Sequence, residues 1–164
     1  MASLYWAQNC AAQTTAAPAG YATGTAIHTH LQIATPSTEI IRVVEWGVSL
    51  SAPGSATLAY CELVQTDVAA SGGTSYTPQV YNGDSSTVAS LCVGGAALTC
   101  YQPSTEGSTT ATRNFDIQLL VPPFVYVKQW PLGREPYMPV SKFLRARITT
   151  AVTCTAYVYV IWEE

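Results

Sequence analysis

From Val152 to Trp162 the chain alternates without interruption. Cys154, Ala156, Val158, Val160 and Trp162 fall on one parity, and Thr153, Thr155, Tyr157, Tyr159 and Ile161 on the other. A period of two sends successive side chains to opposite faces of an extended strand. Both parities carry bulky residues, so this strand is predicted to be covered on both faces and to sit centrally. Shorter runs repeat the pattern in TAIHTHLQIA (25–34), IIRVVEWGVSL (40–50), ATLAYCELVQT (56–66), TTATRNFDIQLLV (109–121), FVYVKQW (124–130) and KFLRARITT (142–150). Prolines or glycines interrupt every window long enough for a helix, and no segment has a helical period. Seven or eight strands without helices predict an all-β fold, an antiparallel β-sandwich of jelly-roll or immunoglobulin-like type.

The pattern divides the chain in two. Residues 1–24 lack a steady period and are punctuated by Pro18, Gly20 and Gly24, so they are expected to form an extended N-terminal arm. Leu4, Tyr5 and Trp6 near its tip need a pocket, either on their own domain or on a neighbouring molecule, and the neighbour is the one expected. Residues 25–164 are expected to form a single β-sandwich domain. Within it, the Ala52–Ser55 turn predicts a hairpin between the two runs that flank it. The Gly-rich stretch 67–108 is expected to hold only short strands, near Thr87–Val93 and Ala97–Tyr101.

Charge excludes several functions. Only 10% of the 164 residues are charged, against roughly 25% in an ordinary soluble domain. The net charge is −3 and the seven Lys and Arg are scattered, which argues against a nucleic-acid partner. A weakly charged chain with ten tyrosines is instead expected to have much of its surface covered by neighbours. No apolar run approaches the length of a membrane span, so no membrane partner is expected. The first residues lack the pattern of a signal peptide. Five cysteines without a CxxC spacing are expected to be buried, reduced thiols of a protein made in the cytoplasm.

Motifs that carry chemistry are sparse. His28 and His30 form an H-x-H pair whose spacing suits zinc. With no further histidine in the chain, they are expected to be an exposed pair on a strand face, holding no metal. Asp67, Asp84 and Asp116 do not form a calcium loop, and Asn82-Gly83-Asp84 is a turn signal. No nucleophile elbow, Walker loop or dinucleotide fingerprint occurs. The chain is therefore expected to be no enzyme and to need no cofactor. Arg145 and Arg147 share a strand face with Phe143, which predicts either a solvated face or a cationic contact stripe. Together with Leu4, Tyr5, Trp6, Tyr157 and Tyr159 they make up the candidate interface.

Several stretches carry a resemblance: LQIATPSTEIIRVVEWG (31–47), CELVQTDVAA (61–70), VKQWPLGRE (127–135), VSKFLRARIT (140–149) and the Trp162-Glu163-Glu164 end. In these the chain resembles small β-rich proteins encoded by phages of actinobacteria and by related prophages. The resemblance implies a virion protein made in the host cytoplasm. For its size it implies a capsid decoration (cement) protein on the phage head surface, bound to the major capsid protein and to itself as a homo-oligomer, with a trimer favoured. Two other roles compete with it: a tail, baseplate or receptor-binding β-domain, and a carbohydrate-binding module.

Overall fold

A computed structural model describes residues 3–11, 17–82, 88–95 and 98–164. Its strands are β1 (Leu4–Gln8), β2 (Tyr21–Ala22), β3 (His28–Ala34), β4 (Ile41–Leu50), β5 (Ala59–Thr66), β6 (Thr74–Ser75), β7 (Gln79–Val80), β8 (Cys100–Tyr101), β9 (Arg113–Leu120), β10 (Phe124–Gln129), β11 (Tyr137–Met138), β12 (Phe143–Thr150) and β13 (Thr155–Glu163). No helix occurs among the described residues. Two antiparallel sheets pack face to face. One runs β10-β4-β13-β1-β7, with β11 also on β4 and β2 also on β13; the other runs β6-β8-β3-β12-β5-β9. The all-β sandwich anticipated from the alternating runs is the fold.

The core between the sheets is built by the predicted parity of β13. Cys154, Ala156, Val158, Val160 and Trp162 are all buried. They meet Tyr5, Trp46 and Val48 of their own sheet, and Leu31, Ile33, Leu63, Leu144 and Ile148 of the other. Each of these larger side chains contributes about 1.5–3 kcal/mol on burial, as an upper bound. β13 lies between β4 and β1, the central position its two bulky faces require.

The structure corrects four expectations. First, the described residues of 1–24 do not form a separate arm. Leu4–Gln8 pairs with β13 along its whole length, from Leu4 opposite Glu163 to Gln8 opposite Tyr159, and β7 flanks its other edge. Tyr21–Ala22 adds to the start of β13. The strands of this segment are too short to show a long period, yet Leu4–Gln8 and Tyr21–Ala22 both pair with β13 through their backbones.

Second, the Ala52–Ser55 turn is not a hairpin. β4 and β5 lie in different sheets, so the connection crosses the sandwich. Eight residues separate the strands, enough to bridge sheets about 10 Å apart.

Third, strict parity fails at bulges. Ile161 faces Glu45 while Trp162 faces Val43, so Val44 is extra and Ile41 and Val43 turn inward with Trp46. In β3, Leu31 faces Ala146 while Thr29 faces Arg147, so His30 is extra.

Fourth, among the described residues the turn-rich middle holds β6, β7 and β8, the last inside the stretch expected near 97–101, and no strand over 88–93. Thr87, Ala97 and the Gly83-Asp84 part of the predicted turn lie outside the described residues.

Candidate functional site

The two arginines of the candidate interface are interior residues, which overturns both readings of them. Arg145 and Arg147 lie on the outer face of the six-stranded sheet, but residues 102–112 cross that face and cover them. Arg145 is 0% exposed. Its Nη2 reaches Glu106 Oε2 at 2.5 Å and also donates to the Glu106 carbonyl. Nη1 donates to the Ser108 carbonyl at 3.0 Å, and Nε to Thr29 Oγ1 at 3.0 Å. Burial pulls this guanidinium below the ordinary arginine value, and the Glu106 carboxylate opposes that pull. Arg147 contacts Glu62 at 3.2 Å and donates to the Thr109 carbonyl at 2.6 Å. The cationic stripe therefore serves as a clamp on its own chain.

Glu106 is the other half of the clamp. Besides Arg145 it accepts from Thr29 N–H at 2.7 Å and from Thr29 Oγ1 at 2.6 Å. Gln32 extends the same polar layer: its Oε1 accepts from Ala70 N–H, and its Nε2 donates to the Leu98 carbonyl at 2.8 Å. Neither Glu106 nor Gln32 was singled out in the sequence. A carboxylate in a Gly- and Ser-rich loop carries no local signal for a partner 39 residues away.

The histidines are likewise not an exposed pair. The bulge at His30 turns its ring inward, where it is 0% exposed and burial, reinforced by His28, lowers its pKa to about 3. Its Nδ1 lies 3.4 Å from Asn9 Nδ2, and its Nε2 has no partner. His28 stacks on Tyr21 with ring centroids 6.0 Å apart and lies 3.5 Å from Glu106 Oε1. Among the described residues no group of three or more His, Cys, Asp or Glu side chains is placed to hold a metal. The five cysteines are buried and unbridged, and burial pushes the thiol of Cys61 up to about 12 and that of Cys100 to about 11.

The remaining interface candidates gather on the seven-stranded sheet, in two environments. Tyr5 is a core residue, 6.2 Å from the Trp162 ring, and its hydroxyl donates to the Val88 carbonyl at 2.8 Å. It is not an anchor for a neighbour. Leu4 is half-buried, with its N–H donating to Asn82 Oδ1 at 2.6 Å. Trp6, Tyr157 and Tyr159 are half-buried on the outer face. Tyr157 donates to Gln8 Oε1, and Tyr159 to Glu45 Oε1 at 2.6 Å. Gly47 lies directly opposite Tyr159, and a Cβ there would strike the ring, so the missing side chain is what lets the ring lie over the strand.

A further surface was not anticipated. β9 and β10 end the two sheets on the same side of the sandwich, joined through Val121, Pro122 and Pro123. Ile117, Leu119, Val121, Phe124, Val125 and Val127 are all exposed along this margin. Behind it Asp116 points inward and closes the gap between the sheets: its Oδ2 accepts from Trp46 Nε1 at 3.0 Å and from the Tyr126 hydroxyl at 2.8 Å. Burial, with Asp116 beside it, raises Tyr126 to about 12. Tyr60 faces Leu119 across the sheet, extending the apolar margin to a recess of about 530 Å³ lined by Leu58, Tyr60 and Thr149. No protein-family model, curated protein or solved structure matches the chain.

Proposed function

We propose that this chain is a structural protein of a phage particle, most simply a decoration protein that binds the outer surface of the head through the major capsid protein. The observation that carries the reading is the apolar edge of the sandwich at β9 and β10, which runs from Ile117 and Leu119 on the outer face of one sheet round to Val125 and Val127 on the outer face of the other. Six large apolar side chains there are exposed, in a chain only 10% of whose residues are charged. Monomeric proteins seldom expose extended apolar patches, and such patches mark interaction sites. The buried arginines add to this, since Arg145 and Arg147 are occupied inside and leave the outside weakly charged. The resemblance to actinobacterial phage proteins supplies the setting.

The test is location. Purified protein is mixed with empty expanded heads and with host cell wall, and the bound fraction is measured by sedimentation. Saturable binding to heads supports the reading. Binding to cell wall with none to heads would transfer the protein to a receptor-binding role.

A further inference from the structure

We propose that the outer edge of β10 pairs antiparallel with β10 of a second copy of this chain, about a twofold axis through Tyr126, so that the seven-stranded sheet continues into its partner. This goes beyond the virion reading and does not depend on it.

The argument begins with the edges. β6 and β7 end their sheets with only two residues each. β9 is long but guarded: it carries a bulge at Phe115, an inward carboxylate at Asp116, and Arg113 lying over the Phe115 ring. Bulges, inward charges and shortness are the devices that stop edges from pairing. β10 has none of them over Phe124–Val127. It has no proline, glycine, charge or bulge there, and Phe124, Val125 and Val127 are 47%, 67% and 51% exposed. Among the described residues no strand covers its outer side.

The backbone direction restricts the register. Trp130 N–H donates to the Val44 carbonyl of the neighbouring strand. Bonding direction alternates along an antiparallel strand, so the amides of Lys128, Tyr126 and Phe124 also face inward. Those of Val125, Val127 and Gln129 face out and are free to pair. A strand that extends the sheet must also keep each side chain on its own face. Centring the axis on Tyr126 meets both conditions. Val125 then exchanges its two backbone bonds with Val127 of the second copy, and the reverse pair repeats them. The valines form an apolar quartet on the outer face, while Lys128 stands opposite Phe124, so no like charges meet. The edge is self-complementary, which favours a second copy over a foreign strand. A six-residue contact falls short of the ~800 Å² per partner of a standard interface, so a weak, reversible dimer is expected.

Light scattering after size exclusion, and sedimentation equilibrium up to about 1 mM, read the mass of the full chain. A monomer–dimer equilibrium is expected. Val127→Pro removes only an outward N–H, which an edge strand tolerates, and should leave a folded monomer. The double variant V125K/V127K sets lysines opposite lysines and should weaken the dimer by about tenfold or more. V125K/V127E sets lysine opposite glutamate in this register and should recover most of that loss. The recovery guards against a variant that merely fails to fold. A wild-type chain that stays monomeric throughout, a trimer, or a dimer that ignores these substitutions would overturn the proposal. Head binding by the wild-type chain remains a separate measurement of the virion reading.

Discussion

Glu106→Ala is the sharpest test of how residues 102–112 are held. The substitution removes the carboxylate opposite a fully buried guanidinium, and with it the acceptor for Thr29 N–H and Oγ1. Breaking a buried pair from one side costs about 3–5 kcal/mol, because the surviving charge is left without compensation. Arg145 keeps the Ser108 and Glu106 carbonyls and Thr29 Oγ1 as acceptors. Glu106 itself retains some access to water, its side chain being 18% exposed. Both facts place the expected loss at the lower end, about 3 kcal/mol. With an m-value of ~2 kcal/mol/M, the urea midpoint should fall by about 1.5 M.

Arg145→Met discriminates between a strong pair and a merely crowded site. An apolar side chain of similar length leaves no buried charge, so the double variant E106A/R145M should be more stable than E106A alone. A midpoint for E106A within about 0.3 M of wild type would refute the clamp, since that is well under 1 kcal/mol. So would a double-mutant coupling below about 0.5 kcal/mol, the level seen between independent sites.

Other consequences are simpler to read. Because His30 is held near 3 against 6.5 when unfolded, the unfolded chain takes up the proton first as pH falls. Stability is therefore full above pH 6.5 and declines as pH drops toward 3, by at most about 1.4 kcal/mol per pH unit. His30→Gln should flatten the urea midpoint between pH 7 and 5, and an unchanged slope would count against the buried neutral ring. Gly47→Ala should lower stability by about 1–3 kcal/mol through overpacking against Tyr159, with Tyr159→Ala in the same chain removing most of the effect. With burial pushing Cys61 to about 12 and Cys100 to about 11, native protein at pH 8 should resist alkylation. Denatured, unreduced protein should take up label at all five thiols.

The strands that were legible are those whose local pattern and burial agree. β13 is the clearest, because its parity alone picks out Trp162, Val160 and Val158 as core and its bulk on both faces places it centrally. Parity misleads wherever one extra residue enters a strand. At Val44 and His30 a bulge reverses the faces, and no composition cue distinguishes the bulged residue from its neighbours. The crossing of the sandwich at Ala52–Ser55 was hidden for a different reason. A Pro-Gly turn specifies a change of direction, whereas the sheet that the next strand joins is decided by its long-range partners β12 and β9. The same is true of β1, whose five residues are too few to reveal a period but enough to pair fully with β13.

The placement of β1 also turns the expectation for a truncated chain around. An arm that reached a neighbour would be dispensable to the fold. Deleting residues 2–20 from this sandwich removes Tyr5 and Ala7 from the core and exposes an edge of β13, including the backbone opposite Trp162 and Val160. It also removes Asn9, whose Oδ1 accepts from Val158 N–H at 2.9 Å and whose Nδ2 donates to the Ala156 carbonyl at 3.0 Å. Burial of a tyrosine-sized side chain is worth about 2–3 kcal/mol, and each lost bond that leaves a buried group unpaired costs about 1–3 kcal/mol more. The sum approaches the 5–15 kcal/mol that holds an ordinary domain together. The truncated chain is therefore expected to melt far below the full chain or not to fold, as read by circular dichroism. A truncated protein that kept the thermal midpoint of the full chain would mean that β13 does not need its neighbour. The apparent arm would then be free to serve another molecule.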